Sequence, residues 1–351
     1  MIGAIEFVES GAGVSIQDLG RLGHRDIGVP LAGAADAVLL ACANALLGQP
    51  ATQAALEVAL LGPTLRARRA PMQLSLVGDF APRLQRADGS AMALDSWRSL
   101  TLQPDEVLVV GPCRSGIGYV ALAGGADVPQ VLGSRATYAR AALGGIEGRA
   151  PRAGDVLGAT APPGRERQAA RPFVHQAGPL RVLPGPQDDR FDAAAWATFV
   201  GSEYRVGRDA DRMGLRLEGP VLAHAAAAGA DIVSEAVVPG AVQVPGSGQP
   251  IVLGVDAQTI GGYAKIATLI RADLPRLAHL RPGQSLRFAP VNRAEALAAR
   301  RALAEALRDW VAGIGPPRGG AVSDAALWNA GNLISGMIDA SPSNRDALPW
   351  E

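Results

Sequence analysis

Short apolar segments separated by glycine and proline constrain the fold of this chain most. The 351 residues include 43 glycines and 26 prolines, which end most apolar runs after a few residues. Many short strands with frequent turns favour a barrel or a sandwich over an alternating strand–helix sheet. We therefore predict a mainly β fold with minor α content, with strands at Leu74–Val77, Glu106–Val110, Tyr119–Leu122, Ala241–Val244 and Pro250–Leu253.

Two segments have helical periodicity. Ala34–Leu47 places leucines and alanines on one side and ends before Gly48 and Pro50. The second predicted helix, Asn292–Val311, starts with the pattern of a capping box, because Glu295 lies three residues after Asn292.

Two pairs of similar segments indicate that the chain contains two related halves. The pairs are Leu60–Leu65 with Leu217–Leu222, and Pro151–Leu157 with Leu280–Leu286. The proline-rich stretch Thr160–Pro172 lies between the halves and is typical of a linker. We predict β domains at 1–162 and 173–290, followed by a helix and tail at 291–351, in which Leu327, Trp328 and Met337 could dock on the body or a partner.

Composition excludes several classes of protein. The net charge is zero and the pI is about 6.9, which argues against nucleic acid and anionic membranes as partners. No apolar run approaches the roughly 18–20 residues of a membrane span, and the N-terminus lacks the cationic region of a signal peptide. Cys42 and Cys113 are predicted to be buried free thiols of a cytoplasmic protein. No His or Cys spacing is typical of a metal site, so we predict none.

The strongest candidate site surrounds Lys265, the one lysine of a chain with 32 arginines. A strand should deliver Asp256, Gln258 and Thr259 at its end, while Gly261 and Gly262 should turn the backbone sharply. A lysine offers a compact charge with three donors, and backbone amides beside it would favour an anion. The alternatives are a lysine retained by chance and a glycine-bearing hairpin with exposed polar residues.

Three further clusters contain polar residues between glycines. The segment Val14–Arg21 has two interpretations. It is a ligand-facing loop that contains Gln17, or a turn held by an ion pair between Asp18 and a nearby arginine. Arg135 in Gly133–Tyr138 would suit a carboxylate or phosphate, or it is a surface arginine. Arg212 is either an anion ligand or part of a local salt bridge. The phosphate-binding loop, the dinucleotide fingerprint and the nucleophile elbow are absent from the sequence.

In this order, the clusters resemble the family called allophanate hydrolase subunit 2, also known as the C subunit of 5-oxoprolinase, as the KipI antagonist and as a biotin-dependent carboxyltransferase component. The resemblance extends from about residue 5 to 290. It rests on the segments 14–21, 28–30, 131–135, 234–235, 243–265 and 272–277, of which 243–265 is the most specific.

This resemblance implies two tandem cyclophilin-like β-barrel domains and a function in a complex. Together with two other proteins, the KipI-like B subunit of the enzyme and its A subunit, the chain would form an ATP-dependent 5-oxoprolinase that opens the lactam of 5-oxo-L-proline to L-glutamate. The cofactor would be ATP with Mg²⁺, bound by this chain or by another subunit, and a homo-oligomer of the heteromer is compatible with it. The alternatives are a non-catalytic partner of a KipI-like protein and a carboxyltransferase component of a biotin-dependent urea or amide carboxylase.

Under this hypothesis, Lys265, Gln258 and Thr259 are catalytic and bind the negative charge that develops on an activated carbonyl or phosphate. Residues of both halves would bind the substrate: Gln17, Asp18, Arg21, Arg135, Arg212, Gln249, Asp256, Gly261, Gly262 and Tyr263.

Overall fold

A computed structural model describes residues 3–225 and 229–317. The tail residues predicted to dock, from Leu327 to Met337, lie outside the described residues. No helix in the described ranges is long and apolar enough to cross a membrane.

The N-terminal half, residues 3–159, consists of two antiparallel sheets with a shared core. The strand order is β11-β1-β4-β9-β6-β7 in one sheet and β2-β3-β10-β5-β8 in the other. Phe7, Leu65 and Leu108 of the first sheet and Leu56 and Val120 of the second are fully buried in one apolar cluster. The strands are β1 Ala4–Glu9, β2 Ala12–Gln17, β3 Ala55–Leu61, β4 Thr64–Arg68, β5 Met72–Val77, β6 Arg83–Gln85, β7 Ala91–Ala93, β8 Arg98–Leu102, β9 Val107–Val109, β10 Gly118–Leu122 and β11 Val156–Gly158.

The C-terminal half, residues 180–290, has a core of its own. Its strand order is β20-β14-β15-β18-β17-β19-β13-β21, and β16 pairs with β19 outside this path. Phe199, Tyr204, Val242, Ile266 and Phe288 are buried in its apolar cluster. The strands are β13 Leu180–Pro184, β14 Tyr204–Val206, β15 Gly214–Glu218, β16 Asp231–Ala236, β17 Ala241–Val244, β18 Ile251–Leu253, β19 Ile260–Leu269, β20 Ser285–Leu286 and β21 Phe288–Pro290.

The predicted mainly β class is confirmed, and the fold includes a nearly closed barrel sheet. All five segments that we predicted as strands overlap observed strands. The division at residues 162, 173 and 290 stays a prediction.

Both predicted helices are present. Within the described residues, the α-helices are α1 Ala37–Leu47, α2 Ala193–Gly201, α3 Leu274–Leu277 and α4 Arg293–Ala312. Helix α1 begins later than predicted, because the amide of Ala35 binds the Glu57 side chain and Asp36 caps the helix instead. The capping box of Asn292 and Glu295 is formed as predicted. Helices α2 and α3 were not predicted.

The predicted linker is fixed to the N-terminal half. The amide of Gly164 donates to Gln73 at 2.8 Å, and the amide of Arg167 donates to Ser99 at 2.8 Å. Strand β12, Gln168–Ala169, continues the sheet from β8 to β22, Ile314–Gly315. Side chains of the sheet thus accept from backbone amides of the linker, so the segment joins the halves without being free in solvent.

Helix α4 packs back against the N-terminal half. Leu307 and Trp310 lie in an apolar cluster with Tyr119 and helix α1. The Trp310 ring is 5.9 Å from the Trp97 ring, and its indole N–H donates to the Arg171 carbonyl at 2.8 Å. The C-terminal helix therefore stabilises the half that begins the chain.

We expect Leu307→Ala to destabilise the protein by about 2–5 kcal/mol, since this side chain is 1% exposed and its loss leaves a cavity. Leu297→Ala is the matched control on the same helix, because Leu297 is 43% exposed. Its effect should stay within about 0.5 kcal/mol. Thermal unfolding of both variants tests the docking of α4, and equal melting temperatures would contradict it.

Candidate functional site

A cleft of about 450 Å³ lies between the two halves, and we call it the central cleft. Strands β2 and β3 supply one wall, while the segments around β15 and after β18 supply the other. Leu253 and Leu277 make part of its apolar surface. Its polar lining includes Ser15, Gln17, Glu57, Thr137, Asp211, Arg212, Asp256 and Arg281. The cleft therefore brings together residues from distant parts of the chain.

Arg212 joins the two halves across this cleft. Its Nε and Nη2 atoms each donate to a different oxygen of Asp256 at 2.9 Å, which is a bidentate pair. Its Nη1 donates to Glu57 and its Nη2 to the Gly33 carbonyl, both of which belong to the N-terminal half. Burial opposes the charge of Arg212, but Glu57 and Asp256 outweigh it and raise the pKa of the guanidinium. The predicted alternative, a salt bridge, is therefore present, but it is not local, because Asp256 and Glu57 lie 44 and 155 residues from Arg212 in the sequence.

Glu57 connects this clamp to the start of helix α1. Its Oε2 accepts from the Tyr119 hydroxyl at 2.6 Å and from the Ala35 amide at 2.8 Å. The Tyr119 oxygen accepts in turn from the amide of Asp36 at 3.1 Å. Burial, followed by the charges of Glu57 and Asp36, raises the pKa of Tyr119, so this hydroxyl stays protonated and keeps donating to Glu57.

Buried polar atoms in the N-terminal wall have capacity for further hydrogen bonds. Gln17 is fully buried, and its Nε2 donates to Ser15 at 2.8 Å and to the Thr137 carbonyl at 3.1 Å. Within the described residues, nothing hydrogen-bonds to Gln17 Oε1, to Thr137 Oγ1 or to two nitrogens of Arg21. Buried groups of this kind are costly unless a ligand or ordered water satisfies them.

Asp18 and Arg135 have structural partners. Asp18 accepts from Ser134 Oγ and from the Arg135 amide, both at 2.6 Å, and from the Gly20 amide at 2.8 Å. The Arg135 guanidinium donates to the Val128 carbonyl at 2.9 Å. The carboxylate of Asp18 therefore holds two predicted clusters together, and neither residue lines the central cleft.

Lys265 lies at a different place, where β16, β17 and β19 meet. Its side chain is 3% exposed, and its Nζ is 2.8 Å from Glu235 Oε1 on strand β16. Glu235 also accepts from Gln187 at 2.8 Å, and the hydrogen bonds from Lys265 and Gln187 lower the pKa of its carboxyl. Gln243 is directly opposite Lys265 in the β17–β19 register. We call Lys265, Glu235, Gln243 and Gln187 the lysine cluster.

The predicted sharp turn at Gly261 and Gly262 is wrong, because both residues lie inside strand β19. These glycines instead allow close approach of side chains. A Cβ atom on Gly261 would lie 2.6 Å from Gln243 Nε2, and one on Gly262 would lie 3.2 Å from Ser234 Oγ. The hairpin alternative holds for part of the segment, because β17 and β18 pair antiparallel across the loop 245–250, which contains Gly246 and Gly248. It does not hold for Gly261 and Gly262, since β18 and β19 flank β17 and do not pair with each other.

The remaining predicted site residues lie on or beside strands near the lysine cluster. Gln258 and Thr259 precede β19, Tyr263 lies on it, and Gln249 lies in the loop between β17 and β18. Gln258 is exposed near Gly261, Thr259 is buried, and Tyr263 is exposed. Gln249 is held by the backbone of Gly219, to which it both donates and accepts. The structure thus separates the predicted site into two regions, with Gln17, Arg212 and Asp256 in the central cleft and Lys265 outside its lining.

Glu57, Tyr119 and Gln243 were not predicted from the sequence. Glu57 had a detectable signal, because it is a charged residue inside the apolar strand ALEVALL. Such a residue is rarely buried unless it is paired. Nothing local marked Tyr119, and Gln243 opens the predicted segment 243–265 without having been assigned a role.

Comparison with known proteins identifies the family. The family model described as carboxyltransferase domain, subdomain A and B, matches residues 27–290, which include Glu57, Arg212, Asp256 and Lys265. The chain belongs to this family. It is 36% identical over 300 residues to the C subunit of the Escherichia coli (strain K12) 5-oxoprolinase, covering 85% of this chain and 94% of the relative. Its identity to the corresponding protein of Haemophilus influenzae is 35% over 298 residues, again covering 94% of the relative.

Solved structures agree with this family. The crystal structure of the K. lactis urea amidolyase superposes with a TM-score of 0.79 at 26% identity, covering 88% of this chain and 20% of that much longer chain. The predicted relation to the C subunit of 5-oxoprolinase, and to carboxyltransferases, is therefore confirmed.

We expect Arg212→Gln to lower stability by about 2–3 kcal/mol. Removing one partner of a fully buried ion pair costs about 3–5 kcal/mol, and the 27% exposure of the Arg212 side chain reduces the effect. Arg216→Gln is the control, because Arg216 lies nearby on strand β15 and is exposed. Glu57→Gln should partly restore the Arg212→Gln variant by removing the unpaired charge. Thermal unfolding of the single and double variants checks this, and additive losses in the double variant would contradict it.

Proposed function

We propose that this chain is the C subunit of an ATP-dependent 5-oxoprolinase, in which it acts with a KipI-like B subunit, as well as an A subunit. The observation that supports the proposal most is the 36% identity to the equivalent E. coli protein over 94% of its length. The proposed reaction opens the lactam of 5-oxo-L-proline to L-glutamate in the cytoplasm.

The central cleft has the polar groups that a lactam requires. A lactam offers an N–H donor and a carbonyl acceptor, and 5-oxoproline adds a carboxylate. Gln17 Oε1 and Asp256 can accept, while Arg212 and Arg281 can donate. A cleft of about 450 Å³ is within the usual range for small-molecule sites. We assign substrate binding to this cleft.

The lysine cluster is the proposed site for negative charge. Lys265 and Gln243 are neighbouring buried donors, and the carboxylate at 2.8 Å from Lys265 belongs to the partly exposed Glu235. An anionic oxygen of an activated carbonyl can take the place of the Glu235 carboxylate. Strand β16 is exposed, so the Glu235 side chain can move into solvent. Gln258 and Thr259 would add donors beside Lys265.

We assign ATP to another protein of the complex. The central cleft has the carboxylates of Glu57, Asp211 and Asp256 against two arginines, so it does not suit a triphosphate. The sequence also lacks a phosphate-binding loop. What this chain supplies is the binding and orientation of the amide and the stabilisation of charge on its oxygen.

A second candidate function is the carboxyltransferase step of a biotin-dependent urea or amide carboxylase. The superposition on the K. lactis urea amidolyase over 88% of this chain favours it. A third candidate, a non-catalytic partner of a KipI-like protein, predicts binding to that protein without turnover. Biotin belongs to the second candidate alone.

The test of the proposal is the complex of this chain with the KipI-like protein and the third oxoprolinase component encoded in the same genome. ADP release that depends on 5-oxo-L-proline supports the oxoprolinase. Carboxylation of urea by a biotinylated partner, with no lactam-dependent ADP release, would replace it by the second candidate. Tight binding to the KipI-like protein without either activity would replace it by the third.

We expect Lys265→Ala and Lys265→Arg each to reduce lactam-dependent ADP release by roughly 10- to 1,000-fold, as does the loss of an oxyanion donor elsewhere. Arginine should fail because its planar guanidinium cannot replace a compact ammonium in a buried position. Arg271→Ala, at an exposed residue just beyond β19, is the control and should keep full activity. Full activity of Lys265→Arg would disprove the specific need for lysine.

A further inference from the structure

Asp36, His175 and His279 come together at the junction of the two halves. Asp36 caps α1, His175 follows the linker, and His279 follows α3. One oxygen of Asp36, Oδ2, lies 2.6 Å from His175 Nε2 and 2.8 Å from His279 Nε2. Within the described residues, these three side chains form the group of His, Cys, Asp or Glu residues whose possible metal-ligand atoms all lie within 4.8 Å of one another.

The partners of the other atoms orient these three donors. His279 Nδ1 is 2.7 Å from the Ser115 carbonyl, which accepts only from a nitrogen that carries hydrogen. This contact leaves the lone pair of neutral His279 on Nε2, where it faces Asp36 Oδ2. A lone pair and a carboxylate oxygen 2.8 Å apart repel each other unless a cation lies between them, either a proton or a metal ion. A backbone carbonyl on the second ring nitrogen is the usual support of a metal-binding histidine.

The other carboxylate oxygen of Asp36, Oδ1, is held by the first turn of helix α1. Oδ1 accepts from the amides of Val38 and Leu39 at 2.9 and 3.0 Å, so Oδ2 is directed at the histidines. The carboxylate is therefore oriented by hydrogen bonds, as is usual for a metal ligand.

The two contacts of Asp36 Oδ2 are close to the ligand–ligand distances around an octahedral ion. Two ligands at right angles with bonds of about 2.1 Å are about 3.0 Å apart, so the observed contacts need to open by only a few tenths of an ångström. A tetrahedral ion would need a larger separation. The remaining coordination positions would face a cavity of about 760 Å³ that both histidines line. Asp79 and Asp95 in that cavity attract cations, whereas Arg171 and Arg276 in the same cavity repel them.

We propose that Asp36 Oδ2, His175 Nε2 and His279 Nε2 bind a divalent first-row transition-metal ion, such as Mn²⁺, Fe²⁺ or Co²⁺, which links the two halves of the chain. Two histidines with one carboxylate are the donor set such ions prefer. The absence of metal-ligand spacing in the sequence does not oppose this site, because His175 and His279 lie 139 and 243 residues after Asp36.

The test is metal binding by the untagged chain after treatment with a chelator. Equilibrium dialysis against Co²⁺ or Mn²⁺, followed by elemental analysis, should give one ion per chain, and Co²⁺ should produce visible absorption bands. The bound ion should raise the melting temperature, since it binds the native state. Neither readout depends on the proposed enzymatic activity.

Variants distinguish this site from other ligands. Asp36→Asn keeps the helix cap but removes the charge, and we expect it to weaken Co²⁺ binding more than about tenfold. His175→Gln should do the same and is the second variant if Asp36→Asn does not fold. His224→Gln is the control, because His224 contacts the Val244 carbonyl and not this group.

Two results would overturn the proposal. One is the absence of saturable binding by the unmodified chain, which would mean that protons alone occupy the contacts to Asp36. The other is equal Co²⁺ affinity in His175→Gln and the unmodified chain.

Discussion

The bidentate pair of Arg212 with Asp256, extended to Glu57, is the interaction on which the arrangement of the two halves depends. Each half has its own apolar core, so hydrophobic burial stabilises each one separately. The charged network instead helps to set their relative position, because a guanidinium donates to carboxylates only within a narrow geometry. The same three side chains line the central cleft, and the geometry of the proposed substrate site therefore follows from the contact that joins the halves.

Two kinds of polar site result from this architecture. The central cleft contains charged groups of both signs, namely Arg212 and Arg281 with Glu57, Asp211 and Asp256. The lysine cluster places the donors of Lys265 and Gln243 beside the exposed strand β16. There the Glu235 carboxylate neutralises the charge of Lys265. An enzyme that acts on a stable amide requires both recognition of the amide and stabilisation of charge on its oxygen. A partner that binds this edge can displace Glu235 and expose the donors of the lysine cluster.

Predictions from the sequence were most accurate where local chemistry decides the structure. The cap of α4 needs only Asn292 and Glu295, and the strand β17 needs only its own apolar residues. The prediction was wrong at Gly261 and Gly262, because glycine serves both sharp turns and close packing inside a strand. Their role depends on side chains that reach them from neighbouring strands. The prediction that Lys265 is a special residue agrees with its burial, whereas its partner on β16 could not be derived from local pattern.

By itself, the sequence determined the mainly β class, the two principal helices and the family, because each of these depends on neighbours in the chain or on a recurring motif. Only the tertiary structure decided which polar residues meet. Glu57 and Arg212 are 155 residues apart, and Asp36 and His279 are 243 apart. Such contacts form when separate sheets pack, and no local propensity encodes them, since the same side chains would be solvated if the halves were apart.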